Sequence, residues 1–425
     1  MILNAGKNVG FPRILFSRSL SVSSKAAIDM AAKDGELRVF IVTGEVSGDL
    51  IGSRLMASLK KLSPYPVNFA GVGGPIMSKQ GLRSLFPMEE IAGALGTWEL
   101  FQRLNKISEN LKKTVEAAYQ FRPHVVVTVD SKGFSFRLLK KLRERYSLQM
   151  CPLHFHYVAP PFWAWRGGEA QLRRISKFVD HIFCILPSEE DVCRAHRIDA
   201  TFVGHPMLED VLEINQGEDI STTKWKVRGN SEDFYRRHEI TSGATVMSLL
   251  PGSRLKEVCR MLPIFSDTVK LLRESFLDLM TVIHVPSNHD VEDYVDSVLH
   301  KWPVPAVLVP GGSTDLKYEA FSASRVALYS PGPVAMELQL AQLPSVVAYR
   351  APFLTEWLIR LERRVPYMSL PNIIFNEPVF PEALFNQCKP QRLASLLVEV
   401  MQDESLRERQ MEAAEKFVRF LLSHL

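Results

Sequence analysis

Cysteine is scarce in this chain, and long apolar runs are absent. No stretch reaches about 18 apolar residues, so no membrane-spanning helix is expected. The cysteines are odd in number and never spaced as Cys-x-x-Cys, which disfavours a disulfide framework and a zinc site. They are Cys151, Cys184, Cys193, Cys259 and Cys388. Gly-x-Gly-x-x-Gly, the P-loop pattern and Asp-x-Asp are also missing, which argues against a dinucleotide site, a P-loop nucleotidase and a transferase using a metal-bound diphosphate of that type.

Acidic residues are missing from the N-terminal segment. Residues 1–28 contain four basic side chains and no acid, so they account for the whole formal charge of +4. The remainder is near neutral, which disfavours nucleic acid as a partner. The segment is serine-rich and lacks a continuous apolar stretch, as is typical of an organellar transit peptide rather than a secretory signal. We predict a transit or disordered segment over residues 1–36 and a mitochondrial location. A plastid location and a tail without an address are the alternatives.

The rest of the chain alternates short β-rich runs with helical patterns. With 425 residues, 46% of them hydrophobic and 23% charged, it is a globular protein of two or three domains. The alternation starts near Leu37 and restarts after the polar stretch 211–243. It predicts an α/β protein of two doubly wound, Rossmann-like domains that face each other across a cleft. We place these domains at residues 37–210 and 211–390, followed by a helical segment over 391–425.

Two loops of the first domain could carry chemistry. Residues 44–49, Gly-Glu-Val-Ser-Gly-Asp, follow a strand and open a helix. Their two acids argue against a phosphate loop, so a functional carboxylate and a simple tight turn both remain open. Asp130 follows the buried run His124–Val129. That position is typical both of a general base and of a helix cap. His154 and His156 lie on one side of a strand, but no third ligand is near them, so we predict no metal. His205, after a glycine, is ambiguous.

Two loops of the second domain could bind an anion. Gly252, Ser253 and Arg254 follow a strand and offer backbone N–H groups, a hydroxyl and a cation, which suits a diphosphate. Gly332 lies in a second such loop, and Glu337 lies one helical turn further on, where it could accept sugar hydroxyl hydrogens. A solvated arginine and a capping carboxylate are the structural alternatives.

Two segments mix large apolar residues with cations. Residues 95–107 and 353–364 both fit a helix lying in a membrane interface, and both fit the stripe of a core helix equally well. The tryptophans of residues 163–165 could form an acyl or sugar wall, or could pack a loop onto the core.

Taken together, these motifs resemble the lipid-A-disaccharide synthase family over about residues 38–400. The matching segments, in chain order, are 44–49, 71–77, 157–166, 204–207, 250–254, Glu337, 349–350 and 369–372. Each motif is weak alone, and their order makes the combination specific.

The resemblance implies an inverting glycosyltransferase of GT-B architecture. Its donor would be UDP-2,3-diacylglucosamine and its acceptor 2,3-diacylglucosamine 1-phosphate, with no metal or other cofactor. The resemblance also implies that the protein acts at a membrane surface, peripheral to an inner membrane, and that it forms a homodimer. By resemblance, Arg254, Glu337 and Asn372 lie at the nucleotide, and the acids Glu45 and Asp130 lie on the acceptor side. We add Gly252, Ser253 and Gly332 to the predicted nucleotide site, and Ser47, His156, Trp165 and His205 to the acceptor side. Asp130 is preferred as base, before Glu45 and His156, because a strand end positions a side chain more rigidly than a glycine-flanked turn.

The sequence departs from the family at three places. Residues 331–333 read Pro-Gly-Pro where the family has Ser-Gly-Thr, which removes a hydroxyl and a backbone N–H. Residues 131–135 replace a run that contains proline in the family, and bacterial members lack the N-terminal extension. Two alternatives therefore stay open: another UDP-sugar enzyme of this architecture, such as a 2-epimerase, and a lipid-binding homologue with weak catalysis.

Overall fold

The computed structural model describes residues 22–91, 97–146, 151–164, 166–209, 227, 229–286 and 288–422. Within them the chain forms two six-stranded parallel sheets with helices between consecutive strands. The first sheet and its helices consist of α1 (Val22–Asp34), β1 (Leu37–Thr43), α2 (Val46–Leu62), β2 (Val67–Val72), α3 (Pro75–Lys79), α4 (Thr97–Phe121), β3 (Val125–Val129), α5 (Lys132–Arg145), β4 (Leu153–Tyr157), α6 (Gly168–Ile175), β5 (His181–Cys184), α7 (Pro187–Ala195) and β6 (Asp199–Phe202).

The second sheet repeats this plan. Its elements are α8 (Ser231–Arg237), β7 (Thr245–Leu250), α9 (Leu255–Leu272), β8 (Leu279–His284), α10 (His289–Leu299), β9 (Ala306–Val309), α11 (Thr314–Ala323), β10 (Val326–Tyr329), α12 (Val334–Leu340), β11 (Ser345–Tyr349), α13 (Phe353–Glu362), α14 (Leu370–Phe375), β12 (Glu382–Leu384), α15 (Pro390–Gln402) and α16 (Glu404–Leu422).

The order of the strands defines one crevice in each sheet. In the first sheet the order is β2-β1-β3-β4-β5-β6, so the chain reverses its direction of travel between β1 and β3. In the second it is β12-β11-β10-β7-β8-β9, so the reversal lies between β7 and β10. Loops diverge at such a switch point, and parallel sheets bind ligands there, beyond the carboxyl ends of the strands.

Buried apolar side chains hold the second sheet between its helices. Its central strands are nearly fully buried, which explains why they read as continuous apolar runs instead of alternating patterns. One cluster packs the strands against α9 and α15, and another packs α12 against α16 through Phe417 and Leu421. The predicted C-terminal helical segment is therefore part of this packing.

The described residues group into two compact units. The first contains β1 to β4, and the second contains β5, β6 and the whole second sheet. The boundary that the sequence predicts between residues 210 and 211 stays a prediction, because residues 210–226 lie outside the described residues.

A helix precedes the point at which ordered structure was expected to begin. In α1, Ala27 and Ala31 are buried, and Asp34 accepts hydrogen bonds from Arg38 (2.6 Å) and pairs with His124 Nε2 at 3.0 Å. Within the predicted segment 1–36, residues 22–34 therefore form a helix, and the transit function of the segment stays a prediction. This helix is anchored by its two buried alanines and by a histidine 90 residues away. Neither contact leaves a pattern in the sequence.

Helix α13 exposes its apolar face. Phe353 is 84% and Trp357 52% exposed, and Leu354, Leu358 and Leu361 continue the same face. Its buried side chain is instead Glu356, which accepts the N–H of Ala351 at 3.2 Å. The core alternative for segment 353–364 is therefore wrong. Segment 95–107 lies partly outside the described residues, although Ile107 is buried.

Candidate functional site

The switch point of the first sheet brings together the loops after β1 and β3. At Gly44 an added Cβ would lie only 2.7 Å from the hydroxyl oxygen of Ser131, so the two loops are in contact. Glu45 follows in extended backbone at the start of α2, half-buried, without capping that helix. The sequence-predicted acids Glu45 and Asp130 therefore belong to two loops that meet at this edge.

Asp130 and the residue after it adopt a left-handed backbone. Their φ angles are 48° and 44°, uncommon values for residues other than glycine. The Asp130 N–H donates to Tyr157 O at 3.0 Å, and its carbonyl accepts the Ser135 hydroxyl at 2.7 Å. These bonds on both sides hold a conformation that costs on the order of 1–3 kcal/mol per residue, so the backbone that carries the half-buried side chain is well defined.

The other acid of segment 44–49 has a structural role. Asp49 is buried, and its carboxylate accepts the backbone N–H groups of Gly74 (2.9 Å), Ile76 (2.9 Å) and Met77 (3.0 Å). It thus caps α3, which follows β2, instead of its own helix. Ser47 is exposed in the first turn of α2.

The histidines of β4 lie in the interior. His154 and His156 are both fully buried on one side of the strand, as the sequence predicts. His156 Nδ1 lies 2.8 Å from the Thr128 hydroxyl, and His154 Nδ1 lies 2.9 Å from Phe178 O. Burial lowers the pKa of His154 to about 4. Among the described residues no group of three His, Cys, Asp or Glu side chains could hold a metal ion.

The loop after β7 forms a closed turn. Gly252 has a φ of 132°, and a Cβ there would lie 2.6 Å from Glu257 Oε2. Glu257 folds back from the first turn of α9 and accepts the Ser253 N–H at 3.2 Å. One of the N–H donors that the sequence offers to a diphosphate is therefore already bonded, because a helical turn returns Glu257 to the loop.

Arg254 is half-buried at the N-terminus of α9, in extended backbone. Its charge acts on Tyr349, the last residue of β11. Burial is the main reason that the pKa of Tyr349 is raised, Glu257 raises it further, and Arg260 and Arg254 oppose them. Arg254 thus combines a fixed cation with a helix N-terminus at the carboxyl edge of the sheet, which suits an anion.

Ser330 joins the loops after β7 and β10. Its N–H donates to Leu250 O at 2.9 Å and its hydroxyl to Pro251 O at 3.0 Å. Gly332 is exposed in the second loop. Glu337, one turn into α12, pairs with Lys317 of α11, with Oε1 and Nζ 3.0 Å apart. Neither Ser330 nor Lys317 was among the predicted site residues, since a single serine or lysine carries no spacing signal.

Asn372 is fully buried and used within the chain. Its amide donates to Phe380 O (2.7 Å) and Glu382 Oε1 (2.8 Å), and its oxygen accepts the Phe380 N–H (2.9 Å). These bonds close the loop between α14 and β12. The role of Asn372 at a nucleotide stays a prediction.

The remaining predicted residues lie after β4 and β6. Trp165 falls outside the described residues. His205 is half-buried, and its Nδ1 accepts the Met207 N–H at 3.3 Å. Desolvation lowers the pKa of His205 to about 4. Its Nδ1 is therefore engaged within the loop, and its role on the acceptor side stays a prediction.

Comparison with known proteins decides the family. The family profile described as lipid-A-disaccharide synthetase matches residues 39–422. The chain belongs to this family. A protein of Arabidopsis thaliana, named probable lipid-A-disaccharide synthase, mitochondrial, is 58% identical over 416 residues, covering 97% of this chain and 90% of that protein. The lipid-A-disaccharide synthase of Rhodospirillum centenum is 41% identical over 385 residues, covering 91% and 90%. The resemblance drawn from the motifs is confirmed, and members of this family are glycosyltransferases.

Solved structures with lower identity show the fold. The UDP-GlcNAc 2-epimerase of Neisseria meningitidis, solved with UDP-GlcNAc, aligns with a TM-score of 0.56 and 12% identity, covering 91% of this chain and all of that one (100%). The 2-epimerase of Methanocaldococcus jannaschii aligns with a TM-score of 0.52 and 11% identity, covering 91% and 99%. The predicted α/β fold of GT-B type is confirmed.

Proposed function

We propose that this chain joins UDP-2,3-diacylglucosamine to 2,3-diacylglucosamine 1-phosphate. The products are a β-1,6-linked disaccharide, a lipid A precursor, and UDP. Family membership supports the activity. We assign the activity to named residues because Ser330 connects the loop of Arg254 to the loop before Glu337, at the switch point of the second sheet.

The proposed chemistry divides between the two sheets. Arg254 binds the diphosphate, and Glu337 accepts hydrogen bonds from the ribose. The acceptor 6-hydroxyl attacks the anomeric carbon from the face opposite UDP, its O–H proton passes to the Asp130 carboxylate, and UDP leaves with the electron pair of the broken C–O bond. Ser47, His205 and Trp165 are proposed on the acceptor side from the sequence alone.

Product analysis tests the activity. Purified protein incubated with both substrates should yield the disaccharide and UDP in equal amounts by mass spectrometry. An acceptor that lacks its acyl chains should react poorly, because disaccharide synthesis, unlike 2-epimerisation, needs an apolar surface that binds those chains. An epimerised UDP-sugar without disaccharide would instead assign a 2-epimerase, and lipid binding without turnover would assign a lipid-binding homologue.

We propose that α13 docks on an anionic membrane surface. No helix among the described residues is long and apolar enough to cross a bilayer. The exposed face of α13 has the spacing of an interfacial helix. Arg360 lies in its last turn and donates to Asn386 Oδ1 at 2.7 Å, and Arg364, just beyond its end, pairs with Glu169 at 3.7 Å and is 61% exposed. An apolar face flanked by cations suits lipid headgroups that carry negative charge.

Replacing Trp357, Leu358 and Leu361 together with serine should weaken binding to phosphatidylcholine vesicles containing phosphatidylglycerol by about a hundredfold or more, because burying each apolar side chain contributes about 1.5–3 kcal/mol. Vesicle co-sedimentation measures this. Leu277→Ser is the matched control, since Leu277 is 90% exposed on a turn remote from α13. Unchanged vesicle binding would contradict the proposal, and a loss of dimer in sedimentation velocity would show that a second copy covers this face.

We propose a mitochondrial location. The relative from Arabidopsis thaliana bears that label, and the N-terminal segment has the composition of a transit peptide. Residues 1–28 fused to a fluorescent reporter should direct it to mitochondria, as seen by microscopy with a mitochondrial dye. A cytosolic reporter would refute this, and a plastid signal would establish the alternative.

A further inference from the structure

Glu337, the proposed ribose acceptor, forms an ion pair with Lys317, to which the proposed function gives no role. Lys317 Nζ lies 3.0 Å from Glu337 Oε1, and the two side chains are only 27% and 17% exposed. They come from different helices, α11 and α12, so the bond does not stabilise either helix locally. Lys317 instead lies at the end of the first turn of α11, where the helix dipole disfavours a cation.

The packing of α11 on β8 shows where this ammonium group lies. The ring of His284, the last residue of β8, lies 4.9 Å from the ring of Phe321, which is one turn beyond Lys317 on α11. Lys317 therefore lies near the carboxyl end of β8, while Glu337 follows β10. Because β7 separates these two strands, the ion pair spans the end of β7, beside the switch point.

The loop after β10 has few donors of its own. Pro331 and Pro333 lack a backbone N–H, so Gly332 alone can donate within residues 331–333. Side chains must then position the ligand at this end of the sheet. A carboxylate with one oxygen held by an ammonium group has its other oxygen set in a fixed direction.

We propose that Lys317 is a positioning residue of the nucleotide site. It holds Glu337 through Oε1 and so directs Oε2 to the ribose hydroxyl groups of a uridine nucleotide. This inference rests on the proposed function, since it assumes that Glu337 meets the ribose. Without Lys317, the carboxylate would be free to rotate, and the ribose would lose a positioned acceptor.

The test compares UDP with 2′-deoxy-UDP by isothermal titration calorimetry. For the unaltered chain, the deoxy nucleotide should bind about tenfold more weakly, as expected for the loss of a hydrogen bond to a charged group. In Lys317→Met this ratio should fall to about twofold, mainly through weaker UDP binding. Lys317→Arg should restore it. Lys270→Met is the matched control, because Lys270 pairs with Asp267 at 2.8 Å on the exposed surface of α9.

Each other outcome overturns the assignment. A lower melting temperature with an unchanged ratio would make Lys317 merely structural. A smaller preference for UDP over UMP, with the ribose ratio unchanged, would place Lys317 on the diphosphate. If the unaltered chain binds UDP without discriminating the ribose, the role of Glu337 fails while the proposed function stands. If it does not bind UDP at all, both fail.

Discussion

Asp130→Asn should lower kcat by about 10²–10⁴-fold and leave UDP affinity unchanged. The acceptor hydroxyl is a poor nucleophile until a base takes its proton, and asparagine has nearly the shape of aspartate without its basicity. Asparagine also tolerates the left-handed backbone at this position, where φ is 48°. The loss should therefore be chemical and not structural. Single-turnover kinetics and calorimetry with UDP measure the two quantities separately.

Glu45→Gln is the informative comparison. Glu45 lies on the neighbouring loop, half-buried, and an effect smaller than that of Asp130→Asn is expected. Asp130 is ranked first because bonds on both sides fix its backbone. If Asp130→Asn keeps most of its turnover and Glu45→Gln does not, Glu45 is the base.

Arg254→Ala should weaken UDP binding by at least tenfold. A charge-assisted hydrogen bond contributes about 1.5–3 kcal/mol, and this arginine lies where a helix N-terminus already favours an anion. Calorimetry with UDP and with uridine separates the diphosphate from the base and ribose, and only UDP binding should fall.

Arg273→Ala is the matched control for this experiment. Arg273 ends the same helix, at the opposite edge of the sheet, and donates to Pro303 O at 3.3 Å. If Arg254→Ala weakens the binding of uridine and of UDP equally, Arg254 does not bind the diphosphate. The same follows if both variants weaken UDP binding equally.

The fold class and the family were predictable from the sequence, and so were the positions of the loops that follow the strands. Buried parallel strands need continuous apolar runs, and their loops need glycine or special backbone, so both leave local signals. These signals placed Glu45, Asp130 and Arg254 at the ends of strands.

The sequence could not show which acids and amides are bonded to the backbone of another loop. Asp49 lies in the same motif as Glu45, and Asn372 lies in one of the family-like segments, yet both are buried and bonded to the backbone. Whether a polar side chain meets a buried N–H or a ligand depends on the neighbouring loop, which lies 25 residues from Asp49 along the chain.

The exposure of the apolar face of α13 could be seen only in the folded structure. The same holds for the contact between Lys317 and Glu337 at the second sheet. An apolar stripe has the same period whether a core or a lipid surface covers it. Lys317 and Glu337 are 20 residues apart, and they meet only because the chain places β10 beside β7. A switch point is a property of strand order, and strand order follows from packing whole helices onto a sheet, so no local pattern encodes it.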